Sequence, residues 1–357
     1  MTAHSDMPEP RPRNILVIQT AFLGDVILTL PLIQELYEAY PDSRITSLTI
    51  PSTAEILLHH PAVADSLVYD KRGRDRGISG LFRTAHRLRR ERFDLALVPH
   101  RSFRSALLAV LAGIPRRIGF DSSTGSFLFT DTVPRDGTLP ETQRNLDLLK
   151  AMGVDTGAGP PRVYPGEHHR RQAQAFLDRH GITPQSDIIG VAPGSVWPTK
   201  RWLPEGYASV IGRLREGEGR SVVLFGGAED RRLCRRIVRM AGEGIPVAAG
   251  ELSVLSAAAL MERCRLVISN DSAAAHLAAA ARCPVVAIFG PTVPEFGFAP
   301  YGDDHIVLGA DVDCRPCGIH GGNRCPRRTF ACMRDITPET VLEAVRSILR
   351  SAEKRPA

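Results

Sequence analysis

The first residue whose type and position could do chemistry is Asp25, in the segment QTAFLGDVILTLP at Gln19–Pro31. The apolar run Asn14–Gln19 predicts a buried strand, and the spacing after it predicts a helix over Val26–Tyr40. Asp25 would then lie at a strand end beside a helix N-terminus, whose dipole would help to keep the carboxylate ionised. Such a carboxylate can accept a proton from a substrate hydroxyl. An ordinary helix N-cap is the alternative.

A lysine follows a strand in the second half of the chain. The segment APGSVWPTKRWLP, at Ala192–Pro204, places Lys200 in a loop between two tryptophans and two prolines. A lysine held rigidly at a strand end suits a phosphate group. The loop could equally be a surface turn with exposed charges and with Trp197 and Trp202 packed beneath it.

Two further strand ends could contact a nucleotide. In SNDSAAAHLAAA, Asn270, Asp271 and Ser272 would cap an alanine-rich helix whose free N–H groups can bind a phosphate. His276 lies four residues beyond Ser272 on the same face. In LFGGAED, at Leu224–Asp230, Glu229 could accept hydrogen bonds from ribose hydroxyls. The alternative for the first segment is a well-capped buried helix with a satisfied histidine.

Four of the seven cysteines fall within 19 residues, as Cys314-x2-Cys317-x7-Cys325-x6-Cys332. In a cytoplasmic chain, this spacing in a loop rich in Gly, Pro, Arg and His indicates a metal knuckle better than disulfides. Four thiolates suit zinc or a single iron and leave no open position for catalysis. We therefore expect a structural metal, with disulfides or free thiols as the alternative.

The composition excludes several classes of protein. The chain has 357 residues, 43% of them hydrophobic and 24% charged, which is typical of a soluble protein of two domains. No apolar run approaches the roughly 18–20 residues that span a bilayer. Residues 1–13 are polar and unlike a secretory signal, so we expect a disordered lead and a cytoplasmic location. Gly24 is the single glycine of the first turn, where a dinucleotide fingerprint would need three, which disfavours a dehydrogenase.

Positive charge is concentrated in one stretch. The whole chain carries +6, but residues 71–117 hold 13 Lys/Arg against three acidic residues, a net +10. Such a field favours an anionic partner, either a phosphorylated glycolipid or a phospholipid surface. The stretch has no aromatic interleaving and no nucleic-acid motif, so we expect no nucleic-acid partner. A solvated arginine-rich helix face is the alternative.

Alternating strands and helices predict an α/β protein with parallel sheets. A segment rich in Pro and Gly, 154–169, predicts the linker between domains 14–160 and 161–350; the second domain includes loop 314–332, and a tail follows at 351–357. Two Rossmann-like domains would face a cleft, with ligands at the carboxyl ends of the strands. Besides the elements above, strands are expected at 45–50, 95–99, 117–119, 188–192, 221–225, 247–249, 266–269 and 285–289, and helices at 79–92, 102–112, 170–180, 205–215, 230–241, 254–264, 273–281 and 338–350.

Together these segments resemble glycosyltransferase family nine, the bacterial heptosyltransferases of GT-B fold. The resemblance covers roughly residues 14–350, and its motifs are specific in their order and spacing. Ser102–Gly119 is similar to the second lipopolysaccharide heptosyltransferase in particular. The matching motifs are L-G-D-x-x-x-T-x-P at Leu23–Pro31, P-G-S…K-R-W at Pro193–Trp202, F-G-G…E at Phe225–Glu229, N-D-S-x-x-x-H at Asn270–His276 and then Gly290-Pro291-Thr292.

The resemblance implies an inverting enzyme without a catalytic cofactor, in which Asp25 is the general base. The donor would be ADP-L-glycero-D-manno-heptose, bound by the C-terminal domain. The acceptor would be the phosphorylated inner core of lipid A, bound by the N-terminal domain in peripheral contact with the inner membrane. The implied donor contacts are Ser195, Thr199, Lys200, Glu229, Asp271, Ser272, Ala273 and His276, and we expect acceptor contacts at Arg101, Arg104 and Arg117.

Two departures from the family pattern leave alternatives open. Ala273 stands where the family usually has glycine, so we expect the approach of the backbone to the donor to differ from the family pattern. The four-cysteine loop occurs only in some branches, including ones that modify proteins with heptose. The alternatives are therefore sugar transfer to a protein or another glycan, and a non-catalytic scaffold that binds ADP without transferring sugar.

Overall fold

Six parallel strands form the first sheet of the protein. The computed structural model describes residues 11–155, 157 and 159–353, so residues 1–10 of the expected lead and the end of the expected tail lie outside the described residues. The strand order is β3-β2-β1-β4-β5-β6. The strands are β1 Asn14–Ile18, β2 Arg44–Thr49, β3 Asp65–Val68, β4 Leu95–Val98, β5 Arg116–Phe120 and β6 Asp131–Val133.

Five parallel strands form the second sheet, in the order β11-β10-β9-β7-β8. The predicted strand at 247–249 is a single bridge between Val247 and Leu224 rather than a sixth strand. β11 was not predicted, because three apolar residues among charged ones give no clear pattern. The strands are β7 Ile188–Ala192, β8 Ser221–Leu224, β9 Cys264–Asn270, β10 Val285–Ile288 and β11 Ile306–Leu308.

Helices follow most strands, as the alternation predicts. The predicted helix at 205–215 is α-helical only to Gly212, and residues 213–217 continue it as a π turn. α4 was not predicted. The helices are α1 Leu23–Ala39, α2 Gly77–Arg90, α3 Phe103–Leu111, α4 Glu141–Asp147, α5 Glu167–Arg179, α6 Pro204–Gly212, α7 Arg231–Ala241, α8 Val254–Met261, α9 Ala273–Ala280, α10 Ala331–Arg334 and α11 Pro338–Glu353.

Three apolar clusters form the core. One lies on the outer face of each sheet, and the third contains buried side chains from both halves of the chain. In the third cluster α1 packs on α9 and α5 packs on α8. The two Rossmann-like sheets thus face one cleft, which is the GT-B arrangement that the resemblance implied. The domain boundary at residue 160 falls between the sheets and stays a prediction.

Polar contacts also cross the cleft. Arg144 of α4 is buried and donates from Nη1 to the Phe296 carbonyl at 3.0 Å. Glu55, in a 3₁₀ turn of the first half, accepts hydrogen bonds at 3.1 Å from the backbone N–H groups of Val254 and Leu255. The Glu55 carboxylate therefore caps the N-terminus of α8, where negative charge is stabilising. Among the described residues, none of the helices has both the length and the apolarity that crossing a bilayer requires.

Candidate active site

Two helix N-termini meet at the centre of the cleft. Gly24, in the first turn of α1, lies so close to α9 that a Cβ there would be 3.3 Å from His276 Cδ2 and 3.7 Å from Ala273 Cα. A larger side chain at either position 24 or 273 would push the helices apart. Because each helix begins at the carboxyl edge of its own sheet, the first turns of α1 and α9 face the same cavity.

This cavity, which we call the Asp25 cavity after one of its lining residues, has a volume of about 180 Å³. It brings together residues that are far apart in the sequence and come from both sheets. Seven of the predicted site residues line it: Asp25, Ser195, Lys200, Asp271, Ser272, Ala273 and His276.

Asp25 is the third residue of α1, and its Oδ2 accepts a hydrogen bond from the Phe22 N–H at 3.1 Å. The pKa of Asp25 is raised to about 6: burial is the largest cause and nearby Glu141 adds to it, while the Phe22 N–H and Arg101 act in the opposite direction. The dipole effect that the sequence suggested is thus outweighed by burial. A carboxylate with this pKa is mostly ionised at neutral pH and is more basic than an ordinary aspartate, which suits a general base.

Lys200 lies opposite Asp25 in a short 3₁₀ turn, Pro198–Lys200. Its Nζ is 2.5 Å from Asp271 Oδ2, and Thr292 Oγ1 donates to the same oxygen at 2.6 Å. The side chains of Lys200 and Asp271 are 11% and 6% exposed, so both are almost fully buried. The ammonium has three donors and uses one on Asp271, so it remains able to bind an anion in the cavity.

Asn270 holds the loop that carries Lys200. Its side chain is fully buried and donates to the Pro193 carbonyl at 2.8 Å. Its Oδ1 accepts hydrogen bonds at 2.9 Å from the Trp202 N–H and from the Tyr207 hydroxyl. The sequence suggested only a helix cap for this residue. A fully buried amide at the end of a strand needs partners, and these three fix the 193–202 loop against β9.

His276 is buried on α9, and its Nδ1 has no hydrogen-bond partner among the described residues. Burial lowers the pKa of His276 to about 4; Asp271 opposes this shift and Lys200 adds to it. His276 is therefore a neutral imidazole at the wall of the cavity and packs against Gly24.

A second, larger cavity adjoins the first. It measures about 600 Å³, the usual size of a small-molecule site, and shares Ser195 and Ser272 with the Asp25 cavity. Glu229 lies in its lining, as predicted for a nucleotide contact. Asp230, which was not predicted, lies beside it, and Gly194 leaves room for its carboxylate: a Cβ there would be 2.3 Å from Asp230 Oδ2. The opposite wall is apolar and includes Leu252, Val254, Met261 and Leu277.

Four of the predicted substrate contacts line neither cavity: Thr199, Arg101, Arg104 and Arg117. Thr199 Oγ1 donates to the Gly322 carbonyl at 2.9 Å and accepts from the Gly322 N–H at 2.7 Å. Arg117 lies near the amino end of β5, on the far side of the sheet from the cleft, and donates to the Leu128 and Ile114 carbonyls at 2.8 and 2.6 Å. The Thr199 and Arg117 side chains are both bonded to backbone groups in this structure, and substrate contact by either residue stays a prediction.

Arg101 and Arg104 lie at the start of α3, at the same edge of the sheet as Asp25, and both are exposed. Arg101 is close enough to Asp25 to lower the pKa of its carboxyl. Beneath them, His100 Nδ1 is 3.0 Å from Thr20 Oγ1. The sequence did not single out His100, whose bond to Thr20 joins the end of β4 to the turn before α1.

Comparison with known proteins assigns the family. The family model described as Glycosyltransferase family 9 (heptosyltransferase) matches residues 81–321. The chain belongs to glycosyltransferase family 9. "Lipopolysaccharide heptosyltransferase 2" of Escherichia coli K12 is 27% identical over 353 residues, which cover 95% of this chain and 99% of that protein.

Solved structures agree with this assignment. A family 9 glycosyltransferase from Veillonella parvula superposes with a TM-score of 0.85 at 29% identity, covering 95% of this chain and 98% of that one. The structure of E. coli ADP-heptose lps heptosyltransferase II superposes with a TM-score of 0.79 at 26% identity, covering 95% and 99%.

The four-cysteine loop of this glycosyltransferase, residues 314–332, lies against the Lys200 turn. Burial raises the pKa of the Cys332 thiol to about 11, and the three other cysteines of the loop raise it further, so all four lie within electrostatic reach of one another. Within the described ranges, however, no three His, Cys, Asp or Glu side chains are arranged to hold a metal ion. The expected metal knuckle is therefore not formed in this structure, although four thiols in one loop are a suitable donor set for zinc or iron.

The raised pKa of Asp25 gives a prediction about stability. The pKa of Asp25 is about 6 in the folded state and 3.8 in the ordinary case. Ionisation of this carboxyl therefore has no effect on the free energy of unfolding below about pH 4, lowers it increasingly between about pH 4 and 6, and has its full effect above about pH 6. Asp25→Asn should therefore increase the free energy of unfolding by about 1–3 kcal/mol at pH 7.5 and leave it unchanged at pH 4. Urea unfolding at both pH values measures this difference.

The control is Asp136→Asn, because the Asp136 carboxylate is exposed and accepts a hydrogen bond from Thr138. That substitution should not stabilise the protein at either pH. An Asp25→Asn protein with wild-type stability at pH 7.5 would show that burial does not penalise the charge.

Proposed function

We propose that this glycosyltransferase transfers heptose from ADP-L-glycero-D-manno-heptose to the inner core of lipopolysaccharide, adding the second heptose with inversion at the anomeric carbon. The observation that carries the proposal is the position of Asp25, which faces Lys200 and the N-terminus of α9 across one small cavity. The likeness over nearly the full length to a relative named lipopolysaccharide heptosyltransferase 2 supports the choice of donor and acceptor.

The donor fits the two adjoining cavities. The larger one has the volume for ADP, with Glu229 and Asp230 to accept hydrogen bonds from ribose and an apolar wall for adenine. Arg201 lines the same cavity and lies beside Lys200 in the chain, so two cations flank the diphosphate. The smaller Asp25 cavity would then receive the heptose ring, between the diphosphate and the general base.

The reaction proposed is a single displacement. Asp25 takes the proton of an acceptor hydroxyl while that oxygen forms a bond to the anomeric carbon, and the bond from this carbon to the diphosphate oxygen breaks on the opposite face. ADP leaves with the negative charge. Lys200 and the free N–H groups after Ser272 stabilise that charge, and each such contact is worth about 3 kcal/mol in the transition state.

The acceptor side is proposed to be a phosphorylated lipid at a membrane surface. Arg101 is close enough to Asp25 to lower the pKa of its carboxyl, and Arg104 adds positive charge on the exposed start of α3. On the neighbouring α2, Ile78 and Phe82 are 75% and 55% exposed, on a helix whose solvent face also carries several arginines. Exposed apolar side chains among cations suit the interface of an anionic bilayer. We propose a cytoplasmic enzyme in peripheral contact with the inner membrane.

We also propose that the four-cysteine loop binds a structural metal, zinc or iron. Its four thiols lie in 19 residues, and the Cys325 sulfur lies beside the backbone N–H groups of residues 327–330, which stabilise a thiolate. The loop is mostly exposed, so drawing the four sulfurs together meets little resistance from packing. Such a metal would hold the loop and take no part in the reaction.

The test of the main proposal is transfer from ADP-heptose to core lipid A bearing no heptose or one heptose, followed by mass spectrometry of the acceptor. We expect a gain of one heptosyl unit only on the acceptor that already has one. Asp25→Asn should lower kcat by about 10²–10⁴-fold, the usual loss when a general base is removed, and leave the Kd for ADP within about twofold.

The pH dependence supplies an independent check of the base. Because Asp25 must be ionised to accept the proton, wild-type kcat/KM should fall as the pH drops below about 6, the raised pKa of this carboxyl. Normal turnover by Asp25→Asn would rule out its role as base. Heptose gained by neither acceptor, with ADP still bound in calorimetry, would point to a protein acceptor or to a non-catalytic scaffold.

Membrane contact is tested by cosedimentation with vesicles containing anionic phospholipid. Combining Ile78→Ser with Phe82→Ser should lower the bound fraction about tenfold, because two apolar side chains no longer enter the interface. The control is Leu58→Ser, which removes an exposed apolar side chain (46% exposed) from a different surface. Equal binding by all three proteins would contradict the assignment of this surface.

Metal binding is tested by elemental analysis of the purified protein. We expect about one zinc or iron per chain, lost in Cys317→Ser and Cys325→Ser, because each removes one of four ligands. Cys234→Ala, which removes a buried thiol on α7 outside the loop, should keep the metal. A wild-type protein without metal, whose thermal unfolding does not respond to a chelator, would refute the proposal.

A further inference from the structure

The four-cysteine loop supplies part of the wall of the Asp25 cavity. Ile319 and His320, in the middle of the loop, line this cavity together with Asp25 and Lys200, and they do not line the larger cavity. Ile319 is 58% exposed and so presents apolar surface at this cavity. The loop therefore reaches the place where the sugar would lie and leaves the nucleotide site alone.

A tight backbone contact fixes the position of this wall. A Cβ at Gly321 would be 2.7 Å from Trp197 Cβ and 2.8 Å from Lys200 Cγ, so the loop can lie this close only because residue 321 has no side chain. The next residue, Gly322, is bonded to Thr199 through its N–H at 2.7 Å and also through its carbonyl, which accepts from the Thr199 N–H at 3.1 Å. The loop and the Lys200 turn are thus joined by three hydrogen bonds and must move together.

His320 is the polar group that this wall presents. Burial lowers the pKa of its imidazole, Lys200 and Arg101 lower it further, and Asp271 opposes them. The ring is therefore neutral at physiological pH, with one nitrogen to donate and one to accept a hydrogen bond. A neutral imidazole beside the diphosphate site suits sugar hydroxyls better than phosphate oxygens.

We propose that Ile319 and His320 cover the transferred sugar: His320 hydrogen-bonds its hydroxyls and positions the anomeric carbon between Asp25 and the leaving diphosphate, and Ile319 keeps water out. This inference rests on the proposed sugar-nucleotide donor. It assigns the loop a direct part in substrate positioning, separate from any metal that holds the loop together. It also gives the contact of Gly321 with the Lys200 turn a purpose, because this one contact would position the residues on both sides of the sugar.

Calorimetry separates this role from a merely structural one. His320→Ala should weaken the binding of ADP-heptose about three- to tenfold, the value of one neutral hydrogen bond, and leave the Kd for ADP unchanged. The same variant should increase the share of donor that is hydrolysed rather than transferred, because water enters the opened cavity. His86→Ala, which removes an exposed histidine on α2, is the control and should change none of these values.

A pair of glycine variants tests the contact that places the wall. Gly321→Ala should reduce ADP-heptose affinity and transfer, because its methyl group must displace Trp197 or Lys200. Gly322→Ala keeps all three hydrogen bonds to Thr199, and its Cβ would meet nothing closer than 3.8 Å, so it should behave like the wild type.

The outcomes distinguish this inference from the proposed function. If the wild-type protein fails to transfer heptose to core lipid A, the proposed acceptor is wrong. Comparing the affinities for ADP-heptose and ADP would still test whether Ile319 and His320 contact the sugar. The inference is overturned if His320→Ala loses affinity for ADP and ADP-heptose equally, or loses affinity for neither.

Discussion

The close approach of α1 and α9 is the contact on which the candidate site depends. Gly24 has no side chain and Ala273 has only a methyl group, so the two helix starts can meet across the cleft. Each start carries one half of the proposed chemistry, a carboxylate on α1 and N–H groups on α9. Because the contact joins the two sheets as well as the two halves of the site, a change in how the sheets pack would also change the distance between base and leaving group.

The site combines stabilised and destabilised charges. The Lys200–Asp271 pair is buried and satisfied, with Thr292 on the same carboxylate oxygen, so its loss would leave one charge without a partner. Among the described residues no cation is bonded to Asp25, and burial raises the pKa of this carboxyl. The folded protein thus accepts a less stable carboxylate at the one position where basicity is useful, which is the usual conflict between stability and activity at active sites.

Sequence reasoning worked where the signal is local. The main strands are apolar runs that end in polar turns, so Asp25, Lys200 and Asp271 could be placed at strand ends and hence in one cleft. It gives no signal where the direction of a side chain decides: Thr199 is adjacent to Lys200, but its hydroxyl bonds to the Gly322 backbone. Asp230 was missed for a similar reason, because its place in the larger cavity depends on the absence of a side chain at Gly194, on another strand end.

The four-cysteine loop is a second case in which the sequence pattern does not predict the contacts of a segment. Cysteine spacing reports on what can hold a loop together and contains no information about what the loop touches. The contact of Gly321 with the Lys200 turn supplies that information. Three hydrogen bonds and one residue without a side chain join the loop to this turn, so a displacement of residues 321 and 322 would also displace the turn that carries Lys200.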